Sequence, residues 1–135
     1  HILVTHDFSE RSCEAVRIAG AWAEALGAEL TLLHVVEPVV YPDYYAINMA
    51  SGDTMTRLRD RAVTALDRAA SEILGAQPVN TTVLIGRAAE TIIVEAEASG
   101  IDLVACVQYK LRCDGLQALP GRRVVRVRPQ YEVNR

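Results

Sequence analysis

Polar residues that could take part in chemistry directly follow the first apolar segment of the chain. Thr5, His6 and Asp7 come after the apolar residues 2–4, and Ser9 lies two positions further on. A carboxylate here could bind a metal ion carried by phosphates, or accept a hydrogen bond from a ribose hydroxyl. It could also cap the next helix, with Ser9 as the alternative cap, and the residue types alone favour capping. His6 could reach a phosphate, but a strand-end histidine without a role is the favoured interpretation.

The other metal-type residues do not form a recognisable ligand set. His34 lies inside an apolar segment, where a hydrogen-bonded core histidine is more common than a ligand. The cysteines Cys13, Cys106 and Cys113 have no CxxC spacing, so we expect reduced thiols, with Cys106 buried. No histidine, cysteine or carboxylate stands at metal-ligand spacing, and we expect no protein-held metal.

The sequence also lacks the common catalytic motifs. A GxSxG elbow, a P-loop and a GxGxxG fingerprint are all absent. Residues 86–90, which read Gly-Arg-Ala-Ala-Glu, are interpreted as a strand-to-helix turn with Glu90 in the first helical turn. One enzyme class that could use such a fold is an ATP pyrophosphatase, but the glycine-serine loop that follows the first strand in those enzymes is missing here. We therefore expect the protein not to be an enzyme.

Short apolar segments alternate with helix-type periodicity along the chain. Residues 2–5, 30–36, 81–85 and 101–106 read as strands, and residues 122–128 as a final strand with Val125 and Val127 facing inward. Three segments between the first four strands repeat apolar residues at three- and four-residue steps, which predicts amphipathic helices. The apolar stripes of the first two are Ala15, Ile18, Ala19, Trp22, Ala23, Leu26, and Met55, Leu58, Ala62, Leu66, Ala69, Ile73.

This alternation predicts an α/β fold with a doubly wound, mostly parallel sheet and helices on both faces. The 135 residues suit one domain, so the prediction is a single domain over residues 1–135. No apolar segment is long enough for a membrane span and no secretory signal is visible, which favours a cytoplasmic protein without membrane contact.

The charge of the chain is distributed unevenly. The net charge is −3, which argues against a nucleic-acid partner. From residue 107 onward, however, seven basic side chains stand against two acidic ones, while the preceding residues carry a net charge of −8. A basic C-terminal segment therefore follows an acidic body. These arginines are interpreted as edge protection of the last strand, with an anion site as the alternative.

In an open α/β sheet, ligands bind beyond the carboxyl ends of the strands, where the strand order reverses. With the first strand at the centre, this crevice lies between the ends of the first and fourth strands. The candidate residues at these two ends are Thr5, His6, Asp7, Cys106, Val107 and Gln108.

Three segments together carry a family resemblance. Residues 2–9, Ile-Leu-Val-Thr-His-Asp-Phe-Ser, resemble the opening strand and Asp-x-Ser turn of the universal stress protein family. Residues 32–36 are similar to its second strand. Residues 86–93, with Ala96, Gly100 and residues 102–104, are similar to its third-helix signature. The segments follow one another in the family's order over residues 2–106.

The resemblance implies a five-stranded sheet of order 3-2-1-4-5. It also implies a homodimer joined through the last strand, here with Arg122, Arg123, Arg126 and Arg128. Some members of the family bind ATP, and ATP with Mg is the cofactor that this chain would then take. The turn matching Thr5, His6 and Asp7 would approach the nucleotide, and the position matching Val35 or Val36 would contact adenine.

The sequence departs from the family after the fourth strand. The family's phosphate segment, Gly-x-x-Gly-x9-Gly-Ser/Thr, does not occur, and fifteen residues between Cys106 and Arg122 are too few for it and a fourth helix. We expect a truncated or missing fourth helix and weak or absent ATP binding, since the backbone cradle for phosphates is lost. The leading hypothesis is a dimeric, non-catalytic stress-response or signalling module acting through protein partners. The alternative is an adenine-nucleotide switch that uses the Asp7 crevice.

Overall fold

The computed structural model describes residues 1–38, 52–107 and 123–127, which contain five strands and three helices. In chain order these are β1 (Ile2–Thr5), α1 (Glu10–Leu26), β2 (Leu30–Val36), α2 (Gly52–Leu74), β3 (Asn80–Ile85), α3 (Ala88–Ala98), β4 (Leu103–Val107) and β5 (Arg123–Val127). Strands and helices alternate from β1 to β4, as the apolar periodicity predicts. The expected truncation or loss of a fourth helix falls on residues 108–122, outside the described part.

The five strands form one parallel sheet in the order β3-β2-β1-β4-β5. β1 lies at the centre, where Val4 pairs with Leu32 of β2 on one side and with Ala105 of β4 on the other. β2 and β3 lie on one side of β1, and β4 and β5 lie on the other. The strand order therefore reverses between β1 and β4. The predicted fold class and strand order are confirmed.

Side chains of β1 alternate between two cores on opposite faces of the sheet. Ile2 and Val4 join the first core with residues of α1 and α2, whereas Leu3 joins the second core with Ile92 and Ala96 of α3. Ile2, Val4 and Leu3 are buried almost completely. Helices therefore cover both faces, and their burial of apolar surface holds the layers together.

Small residues let α1 lie close to the sheet. Ala15, Val16 and Ala19 are fully buried in the first core, and Trp22 packs partly buried against the same core. The helix ends at Gly27, whose φ of 59° is the left-handed conformation that glycine adopts readily.

Two apolar residues of the expected helix stripes are less buried than predicted. Leu26 is 72% exposed because the stripe ends with the last turn of α1, and Leu58 of α2 is 44% exposed. In β5, Val124 packs against the second core and Val125 is half-buried, while the side chain of Val127 lies outside the described set. Among the residues that the structure describes, no helix combines the length and apolar character that a bilayer crossing requires.

Candidate functional site

A cavity of about 510 Å³ opens at the carboxyl ends of the central strands. It lies where the strand order reverses, as expected for an open α/β sheet. The ends of β1, β2 and β4 form its walls, together with the beginnings of α1 and α3. Its lining residues are Thr5, His6, Asp7, Ser12, Leu33, His34, Val35, Val36, Glu37, Ala88, Ile92 and Val107.

The beginning of α1 is organised by hydrogen bonds among short polar side chains. Ser9 is the N-cap, and its Oγ accepts a hydrogen bond from the backbone N–H of Ser12 at 3.2 Å. Asp7 does not cap the helix itself; its Oδ1 accepts from the backbone N–H of Ser9 at 3.0 Å and also from the Ser9 hydroxyl. The interpretation of Asp7 as the cap is therefore wrong, and the alternative, Ser9, is confirmed.

Asp7 keeps an ionised carboxylate at the edge of the cavity. Burial favours the neutral acid and raises its pKa, but hydrogen bonds from Ser9 and Ser12 and the nearby His6 lower the pKa further than burial raises it. The net pKa is therefore below the ordinary value for aspartate. A negative charge remains at this wall at neutral pH.

His6 is a buried ring with a defined hydrogen-bonding pattern. Its Nδ1 lies 3.1 Å from the backbone N–H of Phe8, which must donate, so in the neutral ring the proton is on Nε2. Nε2 faces the Cys13 Sγ at 3.6 Å. Burial lowers the pKa of His6, the charge of Asp7 opposes this, and His34 adds to the lowering. The net pKa is lower than usual, and the ring stays neutral at pH 7.

Phe8 packs between two histidines beside the cavity. Its ring lies 5.1 Å from the His6 ring in an edge-on arrangement and 4.6 Å from the His34 ring. Its φ of 64° is rare for a residue with a side chain, so these contacts hold a conformation that is costly by itself. His34 Nδ1 donates to the carbonyl oxygen of His6 at 2.7 Å, which ties β2 to the end of β1. His34 is thus a satisfied histidine, as expected, and it also lines the cavity.

The opposite wall is closed by a contact between β2 and α3. Glu37 follows β2, and its Oε1 accepts a hydrogen bond from the backbone N–H of Ala88 at 2.8 Å. Arg87, the N-cap residue of α3, makes no capping hydrogen bond with its side chain. Glu37 therefore supplies a cap from 51 positions earlier in the chain.

The lining is partly apolar and carries negative charge. Leucine, valine, isoleucine and alanine side chains alternate with the polar groups, and the carboxylates are those of Asp7 and Glu37. Among the lining residues that the structure describes there is no lysine or arginine. Such a cavity suits a ligand group that is mostly apolar and donates hydrogen bonds. Within the described ranges, no group of three or more histidine, cysteine, aspartate or glutamate side chains could hold a metal ion.

The structure brings most of the sequence candidates together. Thr5, His6, Asp7, Val35, Val36 and Val107 all line the cavity. Cys106 instead lies fully buried in the second core and does not line the cavity. Gln108 lies outside the described residues.

Six lining residues were missed by the sequence analysis. Four of them, Ser12, Leu33, Ala88 and Ile92, look like ordinary helix or strand residues, and His34 was assigned to the core. Glu37 carried a usable signal, since it follows β2 at the same sheet edge as Asp7. The helix residues Ser12, Ala88 and Ile92 carry no such signal, because their position depends on how the helices meet the sheet.

Comparisons with known proteins find relatives in sequence and in fold. A model described as "Universal stress protein family" matches residues 1–111. A search of curated proteins finds no match. Among solved structures, universal stress protein UspA from Lactobacillus plantarum superimposes with a TM-score of 0.74 at 21% identity, covering 94% of this chain and 96% of that one.

Two further similar structures contain nucleotides. A universal stress protein in complex with cAMP has a TM-score of 0.62 at 17% identity, covering 96% of this chain and 97% of that one. A universal stress protein from Archaeoglobus fulgidus in complex with dAMP has a TM-score of 0.57 at 14% identity, covering 91% and 94%. These likenesses support the same fold, and the family match extends over most of the chain. The chain belongs to the universal stress protein family.

Proposed function

We propose that this domain is a non-catalytic stress-response or signalling module whose cavity binds the nucleoside part of an adenine nucleotide, with weak affinity for ATP. The observation that carries the proposal is the cavity of about 510 Å³ at the strand-order reversal, lined by Val35, Val36 and Val107 and by hydrogen-bonding groups of Thr5 and Asp7. Its volume is in the range that small-molecule sites occupy.

The similar structures in complex with cAMP and with dAMP support an adenine-containing ligand for this chain. In the proposed pose the base lies against the valines at the ends of β2 and β4. The carboxylate of Asp7 accepts hydrogen bonds from ribose hydroxyls, as acidic residues do in other α/β nucleotide sites.

Weak ATP affinity follows from two features. The sequence has no Gly-x-x-Gly-x9-Gly-Ser/Thr segment after β4. The chain therefore lacks the glycine backbone N–H groups with which that segment would bind phosphates. The described lining also supplies carboxylates rather than cationic side chains. A triphosphate therefore brings charge that the described lining residues do not compensate.

A binding titration by calorimetry tests this proposal. We expect saturable adenosine binding with a Kd on the order of 10–100 µM, and a Kd for ATP with Mg at least about tenfold weaker. Val36→Trp should fill the cavity and reduce adenosine affinity by about tenfold or more. Val94→Trp, on the 64% exposed surface of α3, is the matched control. Equal adenosine binding by both variants would contradict the site.

The same preparations distinguish the alternatives. Tight binding of ATP with Mg that is lost in Asp7→Ala would support the adenine-nucleotide switch. Release of ADP or AMP from ATP, measured by chromatography after long incubation, would contradict the non-catalytic assignment. We further propose a cytoplasmic location, which fractionation of cells that express the protein can test.

A further inference from the structure

His6 is a buried titratable group to which the proposed nucleoside pose assigns no role. The ring is 4% exposed, and its Nδ1 accepts the backbone N–H of Phe8 at 3.1 Å, which leaves the proton of the neutral ring on Nε2. Among the contacts that the structure describes, Nε2 has no oxygen or nitrogen partner and is directed at the Sγ of Cys13, 3.6 Å away. A buried N–H donor is therefore aimed at a thiol.

The His6 ring is held so that this donor stays directed at sulfur. The backbone of Phe8 fixes Nδ1, and the ring of Phe8 packs edge-on against the imidazole, with 5.1 Å between the ring centres. Burial is the main cause of the low pKa of His6, which keeps the ring neutral at pH 7. The sulfur of Cys13 therefore faces a fixed N–H donor.

Cys13 lies near the beginning of α1, four positions after the N-cap Ser9, and its side chain is partly exposed. Its backbone N–H donates to the carbonyl oxygen of Ser9 at 3.1 Å, so the residue is part of the regular helix. Reactive cysteines are partly exposed thiols in surroundings that stabilise negative charge on sulfur. Cys106, in contrast, is completely buried in the second core. The two cysteines that the structure describes therefore differ in both access and surroundings.

We propose that Cys13 is a peroxide-reactive thiol and that the Nε2–H of His6 accelerates its oxidation to a sulfenic acid. The thiol first gives its proton to solvent, and Sγ then attacks one oxygen of hydrogen peroxide. The S–O bond forms, the O–O bond breaks, and two electrons pass from sulfur to the peroxide. The released hydroxide takes up a proton and leaves as water.

His6 keeps its proton throughout this reaction and acts as a hydrogen-bond donor to sulfur. A hydrogen bond to an ionised group is stronger than one between neutral groups, so the contact favours the charged form of the attacking sulfur. Such a bond raises the amount of thiolate by more than it lowers the nucleophilicity of the sulfur. The reaction therefore becomes faster, and it does so whichever ligand the cavity binds.

The test follows oxidation of the folded full chain by hydrogen peroxide at a pH of about 7.5, where the thiolate is the reacting species. Dimedone traps the sulfenic acid, and peptide mass spectrometry gives a rate constant for each cysteine. Cys13 in the folded protein should react at least about threefold faster than Cys13 in the same chain unfolded in urea. Unfolding exposes a thiol completely, so a faster reaction in the folded state cannot result from better access.

Two substitutions separate the roles of the two ring nitrogens of His6. His6→Asn keeps an oxygen that can accept from Phe8 but has no donor that reaches Sγ, so oxidation of Cys13 should slow by about threefold or more. His6→Gln places an amide N–H near the position of Nε2, and its rate should stay within about twofold of wild type. Cys106 in the same samples is the folding control, since its modification requires unfolding.

Three results would overturn the proposal. The first is a folded Cys13 that reacts no faster than the unfolded chain. The second is an equal rate in wild type and His6→Asn. The third is an equally slow rate in His6→Asn and His6→Gln with Cys106 protected, because the donor would then not be the cause. If His6→Asn unfolds, the folded and unfolded wild type together with His6→Gln decide. Adenosine enters none of these measurements, so failure here leaves the proposed function standing.

Discussion

At the scale of single residues, His6 shows how the fold fixes a protonation state. The backbone N–H of Phe8 donates to Nδ1 of His6. Burial lowers the pKa of the ring by more than the nearby charge of Asp7 raises it. The folded protein therefore favours neutral His6, whereas the unfolded chain takes up a proton near the ordinary value of 6.5.

This difference predicts a loss of stability in mild acid. As the pH falls below about 6.5, the unfolded state binds a proton that the folded state binds only at lower pH, so the free energy of unfolding decreases. The low pKa of Asp7 acts in a separate range, at and below about 3.8. Urea denaturation at a pH of about 7.5 and of about 5 measures the decrease.

His6→Asn is the comparison variant, because its amide oxygen can accept from Phe8 without titrating. The decrease in stability between the two pH values should be smaller in this variant than in the wild type. An identical decrease would show that other groups cause it.

The residue scale also shows where sequence reasoning reaches its limit. The turn at Asp7 and Ser9 was identified from residue types, but the choice between them as cap required the hydrogen bonds. Glu37 lay at the end of a predicted strand, yet its partner Ala88 is 51 positions away. A contact of that kind depends on how β2 and α3 meet, which no local pattern encodes.

At the scale of elements, the junction between β3 and α3 depends on a glycine. A Cβ added at Gly86 would lie 2.5 Å from the Oγ1 of Thr91, closer than any ordinary contact. Gly86 N–H also donates to the carbonyl oxygen of Val36 at 3.1 Å, so the junction is held against β2 and has little freedom to move away.

Gly86→Ala should therefore lower the free energy of unfolding by about 1–3 kcal/mol, as overpacking does elsewhere. Adding Thr91→Ala should restore the part of that loss that comes from the clash, because it removes the Oγ1, whereas the cost of an alanine at the φ of 158° remains. Thr91→Val, which keeps an atom in that place, should not restore it. A double-mutant cycle measured by urea denaturation gives the coupling energy. Independent, additive effects of Gly86→Ala and Thr91→Ala would contradict this explanation.

The elements themselves were predicted well because their periodicities are local. Apolar segments and helix stripes predicted all five strands and the three helices that the structure describes, while the strand order 3-2-1-4-5 came from the family resemblance. Exposed Leu26 marks the kind of error that periodicity makes, since a stripe does not show where the underlying sheet ends. Cys106 lies one residue deeper in β4 than Val107 and is fully buried, which the apolar pattern of the strand alone did not show.

At the scale of the whole molecule, the charge asymmetry bears on assembly. We propose that the domain forms a homodimer through β5, which is the last strand in the sheet order. Residues 122–128 contain four arginines, and a two-fold axis through this strand would bring like charges together. Repulsion between the two copies would then oppose the apolar contacts that join them.

Dimerisation should therefore strengthen with salt. The Debye length falls from about 10 Å at about 0.1 M to about 3 Å at about 1 M, which screens the arginines. Sedimentation or light scattering should show a shift from the 14.8 kDa monomer toward twice that mass. The double variant Arg123→Gln, Arg126→Gln should dimerise with less dependence on salt, whereas Arg57→Gln, Arg61→Gln on α2 should behave like wild type. A salt response unaffected by the β5 substitutions would contradict the repulsion.

The position of the one tryptophan gives the protein a useful optical property. Trp22 packs against the first core, ten positions and about 15 Å along α1 from Ser12, which touches the cavity. Its fluorescence, excited selectively at long wavelength, should therefore change when the sheet and α1 separate, but not when a small molecule enters the cavity. The emission is an internal reporter of folding whose baseline the ligand leaves undisturbed.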